Sequence, residues 1–136
     1  MTIKKIYLAG PMENVAEEEA TRWRDYATRY LYNAGVETLD PTRRRHANEQ
    51  KLMKRIFELD IMDINDADMV IVNLNNEKLA KHGTAMEVFY ASYVLRKPVF
   101  AFKDALTAYH PFFESLVTEW RSDIGKVCDT IVSQYL

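Results

Sequence analysis

Apolar and polar positions along this chain change period repeatedly, and the changes mark out strands and helices in alternation. Residues 3–9 are a short apolar run closed by Gly10-Pro11, a strand and then a turn. Residues 15–34 carry apolar or small side chains at Ala16, Ala20, Trp23, Ala27, Tyr30, Leu31 and Ala34, which is helical spacing, and Gly35 ends it. Residues 36–39 read as a short strand stopped by Asp40-Pro41, and the basic, polar stretch 42–48 reads as loop. A second helix is expected over 49–65. The β-branched run 69–74 is the strongest strand in the chain, continuous as a strand covered on both faces should be. After a loop over 75–83, a helix is expected over 84–95, broken by Lys97-Pro98, with a fourth strand over 98–102. Beyond Asp104 the pattern weakens. Residues 111–120 and 124–135 have helical spacing, although 127–132 is also compatible with a fifth short strand.

Alternating strands and helices predict an α/β fold. The expected form is a doubly wound parallel sheet of four to five strands with helices on both faces. Ligand sites in such sheets lie outside the carboxyl ends of the strands, so the loops after Ala9, Leu39, Leu74 and Phe102 are the places to search. With 136 residues, 48% of them hydrophobic, and no repeat or Pro/Gly/Ser linker, the expected organisation is one domain over residues 1–136. A net charge of −2 argues against a general grip on nucleic acid. The lone Cys128 fits a reducing compartment. No apolar run approaches the length of a membrane span, and the N-terminus lacks a leader pattern, so a cytoplasmic protein without membrane contact is expected. His46, His82 and His110 lack metal-ligand spacing, and neither a metal nor another cofactor is expected.

Three segments carry candidate chemistry. In the first, Tyr7-Leu8-Ala9-Gly10-Pro11-Met12, Gly10 allows close approach of backbone to a ligand, but the segment is equally an ordinary strand-to-helix turn. In the second, a projection at about 100° per residue places Asp60 within the apolar arc of Leu52, Met53, Ile56, Phe57, Leu59 and Ile64, with Asp63 on the same side. An inward carboxylate needs donors or a polar cleft, which leaves a structural and a functional role both open. The third is 81–87. Thr84-x-x-Glu87 has the spacing of a capping box, in which Glu87 would reach back to backbone. The same position also suits a functional carboxylate kept ionised by the first-turn amide dipoles.

Taken together, IYLAGPM, DPTRR, Asp60-x-x-x-Ile64-x-x-x-Asp68 running into MVIVNLN, GTAMEVFYA and KPVFAF resemble the nucleoside 2-deoxyribosyltransferase family, including the related nucleotide N-hydrolases. The match runs in order from about residue 5 to residue 102. The resemblance implies a flavodoxin-like sheet and an oligomer whose active sites are completed by a neighbouring subunit. It also implies cleavage of the N-glycosidic bond of a 2′-deoxynucleoside or its 5′-monophosphate. Carried over by residue, Glu87 is the nucleophile toward the sugar, Tyr7 steadies it, and Asp60 works near the departing base. Ala9, Gly10 and Pro11 would lie along the nucleoside, with His82 and Gly83 beside the site. The expected partners are a small-molecule nucleoside or nucleotide and a nucleobase.

The chain departs from the family at Lys81, six residues before Glu87, where transferases tend to carry Asp and nucleotide hydrolases Ser. Lysine suits a 5′-phosphate better than a hydroxyl, and Arg43-Arg44-Arg45 would add to such an anion site. A hydrolase of nucleoside monophosphates and a non-catalytic nucleotide-binding module are the alternatives. A phosphoacceptor receiver domain is disfavoured because no acidic pair follows the first strand. The helix over 87–95 is apolar nearly all round and predicts burial on more than one face, as in a homo-oligomer. Residues 109–113 are the candidate segment to reach a neighbour's site.

Overall fold

The computed structural model describes residues 2–12, 15–44, 50–75 and 82–136. Five parallel strands form one sheet in the order β2-β1-β3-β4-β5. They are β1 (Lys5–Ala9), β2 (Glu37–Leu39), β3 (Met69–Asn73), β4 (Val99–Phe102) and β5 (Glu119–Arg121). This is the flavodoxin-like order, with the topological switch between β1 and β3. The helices are α1 (Glu17–Asn33), α2 (Gln50–Asp66), α3 (His82–Phe89), the short α4 (Phe113–Leu116) and α5 (Ile124–Tyr135).

Side-chain alternation along the central strands divides the interior in two. Ile6, Leu8, Met69, Ile71, Phe100 and Phe102 face one core, closed by Trp23, Ala27 and Leu31 of α1 and by Val127, Cys128 and Ile131 of α5. Tyr7, Ala9, Val70, Val72, Val99 and Ala101 face the other, closed by Ile64 of α2, Val88 of α3 and Phe113 of α4. Tyr7 is thus the fully buried polar side chain that β1 sends to the α2 and α3 side, while Lys5, of the same parity, reaches Asp66 at the end of α2. Helix α1 starts with three acidic residues, Glu17 to Glu19, at the positive end of its dipole. It stops before Gly35, whose φ of +87° suits glycine.

Three elements differ from the sequence expectation. The basic stretch after β2 begins with a 3-10 turn, Pro41–Arg44. The third helix starts at His82 and ends in a π-type turn over Tyr90–Val94, in which the Leu95 amide donates to the Tyr90 carbonyl. Its Val88 and Ala91 are buried while Phe89, Tyr93 and Val94 are exposed, so among the described residues one face alone is covered. Finally, the helix expected over 111–120 is only α4, and its last residues belong to β5, beside Phe100–Phe102. The fifth strand is therefore not at 127–132, which lies within α5. As an edge strand, β5 is half-buried throughout and lacks the apolar run that betrays a central strand. Among the described residues, no helix is long and apolar enough to cross a membrane.

Candidate active site

Tyr7 of β1 and the loop after that strand, the turn after β2 and the facing sides of α2 and α3 line a cavity of about 300 Å³. Tyr7 and Glu87 meet at its wall. The strand parity that buries Tyr7 directs its ring toward α3, and its hydroxyl donates to Glu87 Oε2 at 2.5 Å. Burial and the neighbouring Glu87 charge both raise the Tyr7 pKa well above its ordinary value. Tyr7 therefore stays a donor across the physiological range.

Burial is also the main force on Glu87 and pushes it up to about 7, with the Asp60 charge adding to the rise. The Tyr7 hydrogen bond and the Arg24 charge oppose it. This corrects two expectations. Because α3 begins at His82, Thr84 lies inside the helix, buried, and cannot serve as the cap of a Thr84–Glu87 box. Glu87 is then the sixth helical residue, beyond the first turn where the dipole is strong. Desolvation, not the helix end, governs its charge.

Asp60 lines the same cavity from α2. Arg44, in the turn after β2, reaches across with Nη1 to Asp60 Oδ1 at 2.7 Å and with Nη2 to Asp63 Oδ2 at 2.8 Å. Burial still pushes Asp60 up to about 6 against the pull of Arg44. Only the far end of the apolar arc around Asp60 faces the core. Met53, Ile56 and Phe57 line the cavity, and Phe57 is 56% exposed; farther along α2, Ile61 and Ile64 pack on the sheet.

Behind the site lies Arg24 of α1, which sequence reasoning missed. It is 0% exposed and donates to the carbonyls of Leu8 (3.2 Å), Ala20 (2.7 Å) and Gly10 (3.0 Å), with Asp40 Oδ1 at 3.8 Å. Its guanidinium thus ties the loop after β1 to the loop after β2. Gly10 serves the protein as much as any ligand. A Cβ there would lie 3.2 Å from Asn73 Cβ and from Trp23 Cζ2, and 3.3 Å from Arg24 Nη2.

Of the residues singled out from sequence, Tyr7, Gly10, Pro11, Asp60, His82, Gly83 and Glu87 all line the cavity. Ala9 does not: it is fully buried in the core beneath. Arg43 is also not brought to the cavity. Its Nε donates to the Asp40 carbonyl at 3.0 Å, and Nη2 lies 3.9 Å from Asp63. With Arg44 held by two carboxylates, neither arginine forms the expected anion site. Lys81, Arg45 and His46 lie outside the described residues. Met12, Pro41 and Met86 add to the apolar lining; each lies within a motif that carries the family resemblance, though none is singled out by it as a site residue. Among the described residues, no group of three or more His, Cys, Asp or Glu side chains is placed to hold a metal ion.

Known proteins share this fold. A family model described as nucleoside 2-deoxyribosyltransferase matches residues 6–130. Among solved structures, a 2-deoxyribosyltransferase from the psychrotolerant bacterium Bacillus psychrosaccharolyticus superposes with a TM-score of 0.74 at 24% identity, covering 92% of this chain and 90% of that one. A conserved protein from Enterococcus faecalis V583 superposes with a TM-score of 0.77 at 17% identity, over 99% of this chain and 100% of the other. A response regulator protein from Burkholderia multivorans, at 14% identity and a TM-score of 0.50 over 97% and 94%, shares the fold alone. No curated protein sequence matches the chain.

Proposed function

The chain belongs to the nucleoside 2-deoxyribosyltransferase family, and we propose that its single domain moves a 2-deoxyribosyl group between nucleobases through a covalent intermediate on Glu87. The observation that carries this reading is the Tyr7–Glu87 hydrogen bond on the wall of a cavity that Asp60 also lines. Breaking a glycosidic bond builds positive charge at C1′, which a carboxylate beside it stabilises and then captures. Glu87 would attack C1′ while Tyr7 holds its Oε2. Asp60, kept partly protonated near neutral pH by burial, would give its proton to the departing base. A second base then displaces Glu87 from the opposite side and returns its proton to Asp60, so the anomeric configuration is retained overall.

Two carboxyl groups pushed to about 6 and about 7 are poised to trade protons at physiological pH. The substrate class is a 2′-deoxynucleoside or its 5′-monophosphate, with Lys81 as the residue to test for phosphate preference. Incubation with either compound, with and without an acceptor base, should yield a new nucleoside or nucleotide only when acceptor is present. Release of free sugar or sugar phosphate without acceptor would identify hydrolysis instead. No cleavage of either compound would remove the enzymatic reading and leave a binding module.

A second copy of the chain is the partner that best suits the apolar surface beside the cavity. Met86 at 62% exposure lines both the cavity and an adjoining apolar groove, with Phe89, Phe112 and Phe113. Phe112, at 74% exposure, belongs to the segment expected to reach a neighbour. Burying such side chains stabilises an assembly by about 25 cal/mol per Å² of apolar area. Light scattering should return a mass above that of the 15.9 kDa chain, and a strictly monomeric mass would contradict a shared site.

A further inference from the structure

We infer that Arg44 and Asp63 act as a positioning pair for Asp60, fixing how the proton-transferring carboxyl stands at the cavity and how much positive charge it feels. The inference rests on the assignment of Asp60 as the group that exchanges a proton with the base. Its ground is the way the guanidinium is shared. An arginine facing one carboxylate commonly binds both oxygens side by side, which orients that carboxylate but also fully ionises it. Here the two nitrogens go to different carboxylates, Nη1 to Asp60 Oδ1 and Nη2 to Asp63 Oδ2. Asp60 is gripped through one oxygen, and its second oxygen lies outside the ion pair.

All three groups are sheltered. The side chains of Asp60, Asp63 and Arg44 are 15%, 19% and 19% exposed, so their interactions are only weakly screened by solvent. Position along α2 also matters. Asp60 and Asp63 stand one helical turn apart on the same face, which lets a single arginine from the turn after β2 meet both. That turn is shaped for the purpose, since Asp40 Oδ1 accepts the Thr42 amide at 2.9 Å and its hydroxyl at 2.6 Å. Arg44 thus clamps the loop after β2 to α2, across one edge of the cavity.

The other charged or titratable groups around Asp60 include Arg24 of α1, Glu87 of α3 and Tyr7 of β1, with Arg43 3.9 Å from Asp63 and His82 on the same cavity. Arg24 favours the ionised form and Glu87 opposes it. Against that fixed background, Arg44 pulls Asp60 toward the ionised form and Asp63 pushes it back. When Asp60 gives its proton to the base nitrogen, the C1′–N electron pair leaves with the base and Glu87 bonds to C1′. The new negative charge on Asp60 then forms beside a guanidinium already in place. Removal of either positioning residue should shift the balance, in opposite directions.

The test is the pH dependence of kcat/KM for the wild type, Arg44→Gln and Asp63→Asn, alongside the carboxyl titration of Asp60 followed by carbon NMR in each protein. Because Asp60 titrates below Glu87 it sets the acid limb of the profile, and Arg44→Gln should move both that limb and the Asp60 midpoint upward by roughly one pH unit. Asp63→Asn frees Arg44 for Asp60 alone and should move both downward. A purely structural clamp would lower thermal stability in both variants and leave limb and midpoint where they were. Shifts of the same sign in the two variants would overturn the inference as well. If Arg44→Gln does not fold, Asp63→Asn decides alone: a downward shift supports the pair, and none refutes it. If the wild type cleaves no glycosidic bond, the proposed function falls. The NMR midpoints then report separately on whether Arg44 and Asp63 set the charge of Asp60.

Discussion

Replacing Glu87 with Gln is expected to lower turnover about 10⁴-fold while making the protein more stable above neutral pH. The two effects share one cause. Glu87 accepts from Tyr7 at the wall of the cavity, and burial lifts it to about 7. A neutral amide keeps the shape and can still accept from Tyr7, but it cannot bond to C1′. The stability change follows from linkage. A carboxyl whose folded pKa is raised above the unfolded value stabilises the fold fully at pH below the unfolded value. That stability is lost as pH rises through the folded value. For Glu87 the window runs from the ordinary 4.5 to about 7. At pH 8 the wild type therefore holds a desolvated charge that the variant lacks, a difference of ~3 kcal/mol. Thermal unfolding at pH 5 and pH 8 should show a small gap that widens toward pH 8, alongside the loss of transfer activity. Intact turnover would exclude the covalent route. Lower stability for the variant at pH 8 would mean that Glu87 serves the fold more than the reaction.

The same residue shows where sequence reasoning reaches its limit. Local spacing around Thr84 and Glu87 matches a helix cap, and only the path of the chain rules it out, by starting the helix at His82. The partner of Glu87 is Tyr7, 80 residues away, a contact set by sheet topology and strand parity and by nothing local. The central strands are legible because a strand covered on both faces must be apolar over its buried length, as residues 6–9 of β1 and 69–72 of β3 are, apart from the Tyr7 hydroxyl. Half-buried β5 obeys no such rule and was read as helix. On α2 the periodicity correctly found an apolar face with Asp60 inside it. Whether that face meets a core or an open cavity depends on how far the helix extends past the sheet, and periodicity carries no information on that. The basic run after Pro41 looked like an anion site because its charges are visible in sequence, whereas Asp60 and Asp63, which engage Arg44, come together with it only in the fold.

Arg24 is the strongest case of such hidden structure, and Arg24→Met should cost ~3–5 kcal/mol of unfolding free energy in chemical denaturation. On the sequence it occupies an unremarkable position in a helix whose charged residues face water. In the fold it has no solvent exposure at all, and its three carbonyl acceptors come from β1, from the turn that follows and from its own helix. Methionine fills similar space but donates nothing. The carbonyls of Leu8, Gly10 and Ala20 would each lose a donor, and Asp40 would lose the cation at 3.8 Å. An acceptor left unsatisfied in the interior costs about 1–3 kcal/mol. The consequence extends to the reaction, because the Arg24 charge helps hold Glu87 in its ionised form. Without that charge Glu87 and Asp60 should both ionise at higher pH, so both limbs of kcat/KM move upward in the fraction that remains folded, the basic limb reporting Glu87. A loss below about 1 kcal/mol with an unmoved basic limb would show that the buried guanidinium neither braces the loops after β1 and β2 nor tunes the nucleophile.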